Sequence, residues 1–185
     1  ALIAIFMLGT THVRSNLICY AIHTLLIAGL TLWLGVEHKE NDLIFSALLV
    51  GLLKGVFTPF FLSWVKSKVG IFREVGTLLP LPLAMFLGVV LLGVSYLLVA
   101  QLPTALGEGD ARIGATSALS MLFTGMLLML ARKTAISQII GFLVLENGIY
   151  LFTVSQTNGM PMMVEMGVML DVFVAVMVTG LILFK

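Results

Sequence analysis

Long apolar runs separated by short polar stretches extend from one end of the chain to the other. Each run is predicted as a helix of the kind that crosses a bilayer, and each boundary is set by the first polar cluster beyond it. Seven segments result: Ala1–Leu8, Ser15–Gly35, Leu43–Trp64, Leu79–Ala100, Ile113–Leu130, Ala135–Gln156 and Pro161–Phe184. The pattern therefore predicts an all-α, polytopic membrane bundle of about seven transmembrane helices, with residues 1–185 forming a single domain.

The first segment, Ala1–Leu8, is too short to cross a membrane by itself. A helix rises about 1.5 Å per residue, whereas the hydrocarbon core is about 30 Å thick. We therefore expect the numbering to begin inside a helix.

Basic loop residues fall unevenly on the two sides of a seven-helix topology. One side holds Arg14, Lys66, Lys68, Arg73, Arg132, Lys133 and Lys185. The other side holds only Lys39 and Arg112. Because cytoplasmic loops carry the excess of Lys and Arg, the pattern predicts a cytoplasmic (inner) membrane protein with its N-terminus outside and its C-terminus in the cytoplasm.

Composition supports the membrane class and excludes several chemistries. The chain is 60% hydrophobic and 10% charged, with a mean hydropathy of +1.15. A net charge of +1 without a basic cluster gives no indication of nucleic-acid binding. Cys19 is the single cysteine, so a disulfide, an iron–sulfur cluster or a thiolate zinc site within this chain is excluded. No cofactor or metal is expected here, and redox chemistry would belong to partner proteins.

Three charged residues interrupt the apolar segments near their centres: Lys54, Glu146 and Asp171. A charge at the centre of a membrane helix costs about 2.5–3.5 kcal/mol on insertion scales. Such residues usually face protein or water inside a bundle and mark an ion or proton path. These three are therefore the main candidates for a functional site.

Lys54 lies too deep in its segment to reach water by extending its side chain. A stripe of small residues runs beside it at four-residue spacing, comprising Ala47, Gly51, Gly55 and Pro59. Such a stripe allows close contact with another helix, and Pro59 should kink or open the backbone a few residues after Lys54. Two interpretations stay open: a structural ion pair, or a proton-relay ammonium.

The two carboxylates have polar or small neighbours. Glu146 is followed by Asn147, which could stabilise a bent backbone or hold water near the carboxyl group, and by Gly148. Asp171 is aligned with small or hydroxyl residues every fourth position, which indicates packing on a neighbouring helix. Each carboxylate is interpreted as a proton carrier, and for Glu146 the alternative is a structural hydrogen-bonding role.

Two further titratable residues are secondary candidates for the proton path. Glu165 lies nearer the end of the last segment, where it is either an entry or exit group or a side chain that reaches the membrane interface. His23 lies within the second segment, where it is either a structural histidine or a relay member.

Specific residues of the last two segments resemble hydrogenase-4 component E, a family of membrane subunits of formate hydrogenlyase-type group 4 [NiFe] hydrogenases. These residues are Arg132-Lys133, Gln138-Ile139-Ile140-Gly141-Phe142, Leu145-Glu146-Asn147-Gly148, Val164-Glu165-Met166-Gly167 and Asp171. Residues 131–185 are also similar to a helix pair of complex I subunit K and to the C subunit of Mrp-type antiporters. Glu146 matches the first of two membrane glutamates that transfer protons in subunit K, and Asp171 stands at the second.

The resemblance implies a noncatalytic subunit of a hydrogenase complex, with the redox centres elsewhere. Its implied partners are antiporter-like membrane subunits, nickel–iron and iron–sulfur proteins of a soluble arm, and membrane lipid. Lys54, Glu146 and Asp171 would carry protons, with Glu165 at the periphery. Two other classes stay open: a subunit of a sodium/proton antiporter, and a purely structural membrane subunit whose charges form static pairs.

Overall fold

The computed structural model describes residues 1–69, 76–101 and 109–156, and every regular element within them is helical. No strand occurs in these three ranges. The helices are α1 (Leu2–Leu8), α2 (Val13–His38), α3 (Asn41–Val50), a π-helix (Gly51–Phe57), α4 (Thr58–Val69), α5 (Leu81–Ala100), α6 (Asp110–Ala131) and α7 (Ala135–Gln156). The π-helix joins α3 to α4 without a break, so these three elements form one long helix.

Six of the seven predicted segments fall in the described residues, and each is a helix. The prediction Ala135–Gln156 is confirmed at both ends, whereas Pro161–Phe184, with Glu165 and Asp171, lies outside the described residues. Five helices are long and apolar enough to cross a membrane: α2, the joined helix Asn41–Lys68, α5, α6 from Ala111, and α7. The fold is thus an all-helical bundle suited to a membrane.

The predicted loop after Trp64 was wrong at its start, because α4 continues to Val69. Lys66 and Lys68 lie in the last turn of α4, and Lys66 is buried. Cations are favourable at a helix C-terminus, where the carbonyl groups carry partial negative charge. The two lysines that interrupted the apolar pattern therefore end a helix rather than begin a loop.

The face of α2 that points into the bundle is more polar than the face that points out. Buried positions include Asn16, Tyr20, His23, Thr24 and Thr31, at helical spacing. The exposed face carries large apolar side chains, among them Ile22, Leu26, Leu30 and Trp33. A helix of a soluble protein has the opposite arrangement, whereas apolar side chains are favourable on the outer face of a helix that contacts lipid. The buried hydroxyls of Thr24 and Thr31 donate to backbone carbonyls one turn back.

Helices α6 and α7 pack closely through glycines. A Cβ atom added at Gly125 would lie 2.6 Å from the amide nitrogen of Leu145. One added at Gly148 would lie 2.9 Å from both the carbonyl oxygen of Ala118 and the amide nitrogen of Leu122. The neighbours are backbone atoms, so no side-chain rotation could make room. This packing places α7 in the interior: 67% of its most apolar stretch is buried, against 22% for α5.

Arg132 braces one end of the bundle and is not a solvent-exposed loop charge. Its side chain is 1% exposed. Nη2 shares its two protons among the carbonyl oxygens of Met7 (3.1 Å), Leu8 (3.0 Å) and Thr10 (2.7 Å). The first two carbonyls belong to the last turn of α1, where a helix leaves acceptors unsatisfied, and the third lies just beyond it. The topological prediction counted Arg132 as a surface charge, whereas this guanidinium fixes α1 to the α6–α7 turn.

Replacing Arg132 with lysine is expected to lower the free energy of unfolding by about 1.5–3 kcal/mol, because the lysine side chain is shorter and its ammonium falls short of the carbonyls that Nη2 contacts. The measurement is thermal unfolding in detergent. The matched control is Arg14→Lys, which changes an exposed arginine at the start of α2. Equal unfolding midpoints for the two variants would show that the Arg132 contacts contribute little.

Candidate functional site

The centre of the bundle holds a buried ion pair between Lys54 and Glu146. Lys54 Nζ lies 2.5 Å from Glu146 Oε1, and the two side chains are 5% and 4% exposed. The lysine comes from the π-helix and the glutamate from the middle of α7. Sequence analysis singled out both residues but could not place them together. The structure places them in contact.

The π-helix determines where Lys54 points. Its wider turns extend from Gly51 to Phe57, and the Thr58 amide and hydroxyl both donate to the carbonyl of Leu53, the hydroxyl at 2.9 Å. Pro59 follows and has no N–H to offer to a regular α-helical turn. The predicted disturbance is therefore present, but it surrounds Lys54 instead of following it. Single π-helical turns inside longer helices are frequent at functional sites.

The small-residue stripe makes the close helix contact that was predicted, and Gly51 and Gly55 place this contact on α2. A Cβ at Gly51 would meet the Cβ of Ala28 at 3.5 Å, and one at Gly55 would meet the Leu25 side chain at 2.8 Å. Ala47 on the same stripe is 3% exposed. Glycine therefore lets the π-helix approach α2 closely. Lys54, beside this contact, is enclosed by protein and does not face lipid.

Asn147, the neighbour of Glu146, joins α7 to α2. Its Nδ2 donates to Thr24 Oγ1 at 2.7 Å, and Thr24 Oγ1 donates in turn to the carbonyl of Tyr20 at 2.9 Å. Asn147 and Thr24 are 1% and 0% exposed. A hydrogen bond between fully buried side chains fixes the rotation of α7 against α2. That rotation aims Glu146 at Lys54.

A third polar contact joins α7 to α3 one turn beyond the ion pair. The hydroxyl groups of Tyr150 and Ser46 are 3.3 Å apart, and Ser46 Oγ also donates to the carbonyl of Leu43 at 2.9 Å. Both side chains are buried. One turn of α7 thus makes three polar contacts, each with a different segment.

The remaining predicted site residues stand apart from the pair or lie outside the described residues. His23 is 4% exposed on the inner face of α2, and neither ring nitrogen hydrogen-bonds to another described residue. The structure therefore does not join His23 to Lys54 or Glu146. Glu165 and Asp171 fall outside the described residues, so their place in a proton path stays a prediction.

Sequence analysis missed Thr24, Ser46 and Tyr150 as parts of this site. Threonine and serine are common in membrane helices, where their hydroxyl groups donate to backbone carbonyls of the same helix. The residue type alone is therefore weak evidence for a functional site. The inward polar face of α2 was the signal that could have identified Thr24. Asn147 was noted for its position after Glu146, but its bond to α2 requires the helix arrangement.

The site consists of two side chains of opposite charge that are in contact and enclosed by protein. A lysine and a glutamate in contact can exchange a proton. Because both side chains are buried, neither exchanges its proton directly with bulk water. Within the described ranges, no group of three or more His, Cys, Asp and Glu side chains could hold a metal ion.

The fold and site define an all-helical protein with membrane-compatible helices and an internal charged pair. Over 156 residues, the chain is 27% identical to the uncharacterized protein Rv0085 of Mycobacterium tuberculosis, covering 84% of this chain and 71% of that protein. No family model and no solved structure matches the chain. That protein is uncharacterized, so the residues of this chain alone indicate its function.

Proposed function

We propose that this protein is a noncatalytic membrane subunit of an ion-translocating hydrogenase complex of the formate hydrogenlyase type. Its task is to carry protons through the middle of the membrane, while hydrogen chemistry takes place on nickel–iron and iron–sulfur partner subunits. The observation that carries the proposal is the Lys54–Glu146 pair, buried between two helices that are each long enough to cross a membrane.

The motif around Glu146 supports the hydrogenase part of the proposal. Residues 138–148 resemble hydrogenase-4 component E and include the glutamate whose partner the structure identifies. In this proposal the last predicted helix completes a seven-helix subunit in the cytoplasmic membrane, with the N-terminus outside. Asp171 continues the path beyond Glu146, and antiporter-like subunits flank the chain within the lipid.

Translocation would use the pair as a coupled unit. A proton arriving at Glu146 weakens its attraction to Lys54, so the charge state of one residue changes the proton affinity of the other. Redox energy from partner subunits would act by biasing this coupled protonation. A purely structural pair in the same position would hold the helices together, and replacing it would leave ion flux unchanged.

The decisive experiment replaces both charges in the intact complex, as Lys54→Met with Glu146→Met. Methionine approximates the length of each side chain, and removing both charges leaves neither one buried without a partner. In proteoliposomes containing the complex, a fluorescent pH probe should show proton uptake reduced to background while subunit composition is retained. Proton uptake equal to that of the native complex would contradict the relay.

Glu37→Gln is the matched control, because Glu37 is an exposed carboxylate near the end of α2. This variant should pump as the native complex does. Repeating the assay with and without sodium separates proton pumping from sodium exchange. Sodium dependence without dependence on an electron donor would favour the antiporter class.

The partners are tested by purifying the chain in mild detergent from its native membrane and identifying the proteins that accompany it. A nickel–iron subunit together with iron–sulfur proteins is expected. Antiporter-like subunits without a metalloprotein would contradict the hydrogenase assignment.

A further inference from the structure

A row of polar side chains leads from the ion pair toward the end of the bundle where α2 meets α3. As residue numbers rise along α7 from Glu146 to Tyr150, the contacts on the facing helix fall from Lys54 to Ser46. The two helices are therefore antiparallel, and each step along α7 approaches the start of α3 at Asn41. This end carries exposed charged side chains, including Glu37, Lys39 and Asp42, so it faces water.

Spacing places these polar groups on shared helix faces. Glu146 and Tyr150 are four residues apart on α7, and Asp42 and Ser46 are four apart on α3. Residues at this spacing are neighbours on a helix surface, with Cβ atoms about 5–6 Å apart. Their side chains, or one bridging water, span such a distance. Tyr150 and Ser46 then join the two faces through their own contact of 3.3 Å.

The hydrogen bonds also have a direction. A hydroxyl group has one proton to donate. Ser46 Oγ donates its proton to the carbonyl of Leu43, so Tyr150 Oη is the donor to Ser46 Oγ. Both bonds therefore point away from the ion pair and toward the start of α3. Leu43 lies in the first turn of that helix, next to Asp42.

We infer that Tyr150 and Ser46 form the proton exit or entry step between the Lys54–Glu146 pair and the water at the α2–α3 end, with Asp42 as the surface carboxylate. The inference rests on the proposed function and names the route that it uses at one side. It also explains why a buried tyrosine and a buried serine face each other within an apolar region.

Each transfer leaves the hydroxyl groups chemically unchanged. For a proton leaving the pair, the carboxyl proton of Glu146 passes to Tyr150 Oη as the Tyr150 proton passes to Ser46 Oγ. The Ser46 hydroxyl then turns away from the Leu43 carbonyl and passes its proton, through a bridging water, to the Asp42 carboxylate, which releases it to bulk water. Each hydroxyl gains one proton and loses one, and no electron moves. For uptake, the same steps run in reverse.

Tyr150→Phe tests the step because it removes one oxygen and keeps the buried ring. In proteoliposomes containing the intact complex, proton flux should fall roughly 100-fold, at the lower end of what a positioned proton-transfer group contributes. Ser46→Ala should produce a similar fall, and Ser46→Thr, which keeps a hydroxyl group, should restore most of the flux. The control is Tyr96→Phe, which removes the hydroxyl of a tyrosine that is 65% exposed on α5.

Thermal unfolding of the same variants distinguishes a structural role of the Tyr150–Ser46 contact from a role in proton transfer. Unchanged flux in Tyr150→Phe would overturn the inference, as would a loss of flux that only follows a loss of folded protein. If Tyr150→Phe pumps normally while the Lys54→Met and Glu146→Met double variant does not, the route is wrong and the proposed function stands. If the double variant also pumps normally, the proposed function itself fails.

Discussion

Replacing Glu146 alone with methionine is expected to lower the free energy of unfolding by about 3–5 kcal/mol, and adding Lys54→Met should recover most of that loss. The reason is the burial of both side chains, at 5% and 4% exposure. When one residue is replaced, the other loses the opposite charge that it contacts and stays enclosed in protein. Two methionines of similar length leave no such charge.

A double-mutant cycle measures the coupling between the two residues. It compares the unfolding, by heat or denaturant in detergent, of the native protein, Glu146→Met, Lys54→Met and the double variant. Glu37→Gln serves as the exposed control, with an expected change within about 0.5 kcal/mol. Losses that simply add in the double variant would contradict a direct interaction. Together with the flux assay, this cycle separates stability from transport, because the double variant should be folded but unable to pump.

Replacing Gly125 with leucine should separate α6 from α7 and lower the free energy of unfolding by about 3 kcal/mol or more, at the upper end for overpacking. A Cβ there would lie 2.6 Å from the Leu145 amide nitrogen and 2.8 Å from the Gly141 carbonyl oxygen. These are backbone atoms of a helix, so the whole of α7 must shift. Because Leu145 adjoins Glu146, the shift should also disturb the ion pair.

Gly93→Leu is the matched control for this prediction. Gly93 lies in α5, and a Cβ at that position would have no atom within 4 Å. The same substitution there should leave the unfolding midpoint close to that of the native protein. A midpoint for Gly125→Leu as high as that of Gly93→Leu would show that α6 and α7 can separate at little cost.

Hydrophobic pattern predicted the described helices well, because a segment long and apolar enough to cross a membrane is conspicuous between polar flanks. The ends of Ala135–Gln156 follow directly from its polar flanks. Pattern was less informative where a polar residue is buried. Lys66 and Arg132 were interpreted as surface charges, yet Lys66 belongs to α4 and Arg132 bonds to the end of α1.

The candidate site was predictable as a set of residue types but not as an arrangement. Lys54 and Glu146 are conspicuous in apolar surroundings. Their contact depends on which helices are neighbours in space, and this cannot be read from a single sequence. Pro59 indicated a backbone irregularity but not the π-helix that places Lys54. The hydrogen bond from Asn147 to Thr24 similarly depends on the rotation of α7 against α2.

The order of synthesis gives the buried pair a consequence for biogenesis. The ribosome completes the helix bearing Lys54 well before Glu146, since α5 and α6 are made in between. In the proposed membrane subunit, the lysine has no glutamate partner during that interval, and its charge disfavours membrane insertion by about 2.5–3.5 kcal/mol. The apolar remainder of that helix must drive its entry. Arrival of α7 then supplies the counter-charge, so the last step of topogenesis for this pair is also the one that secures the early helix in the bilayer.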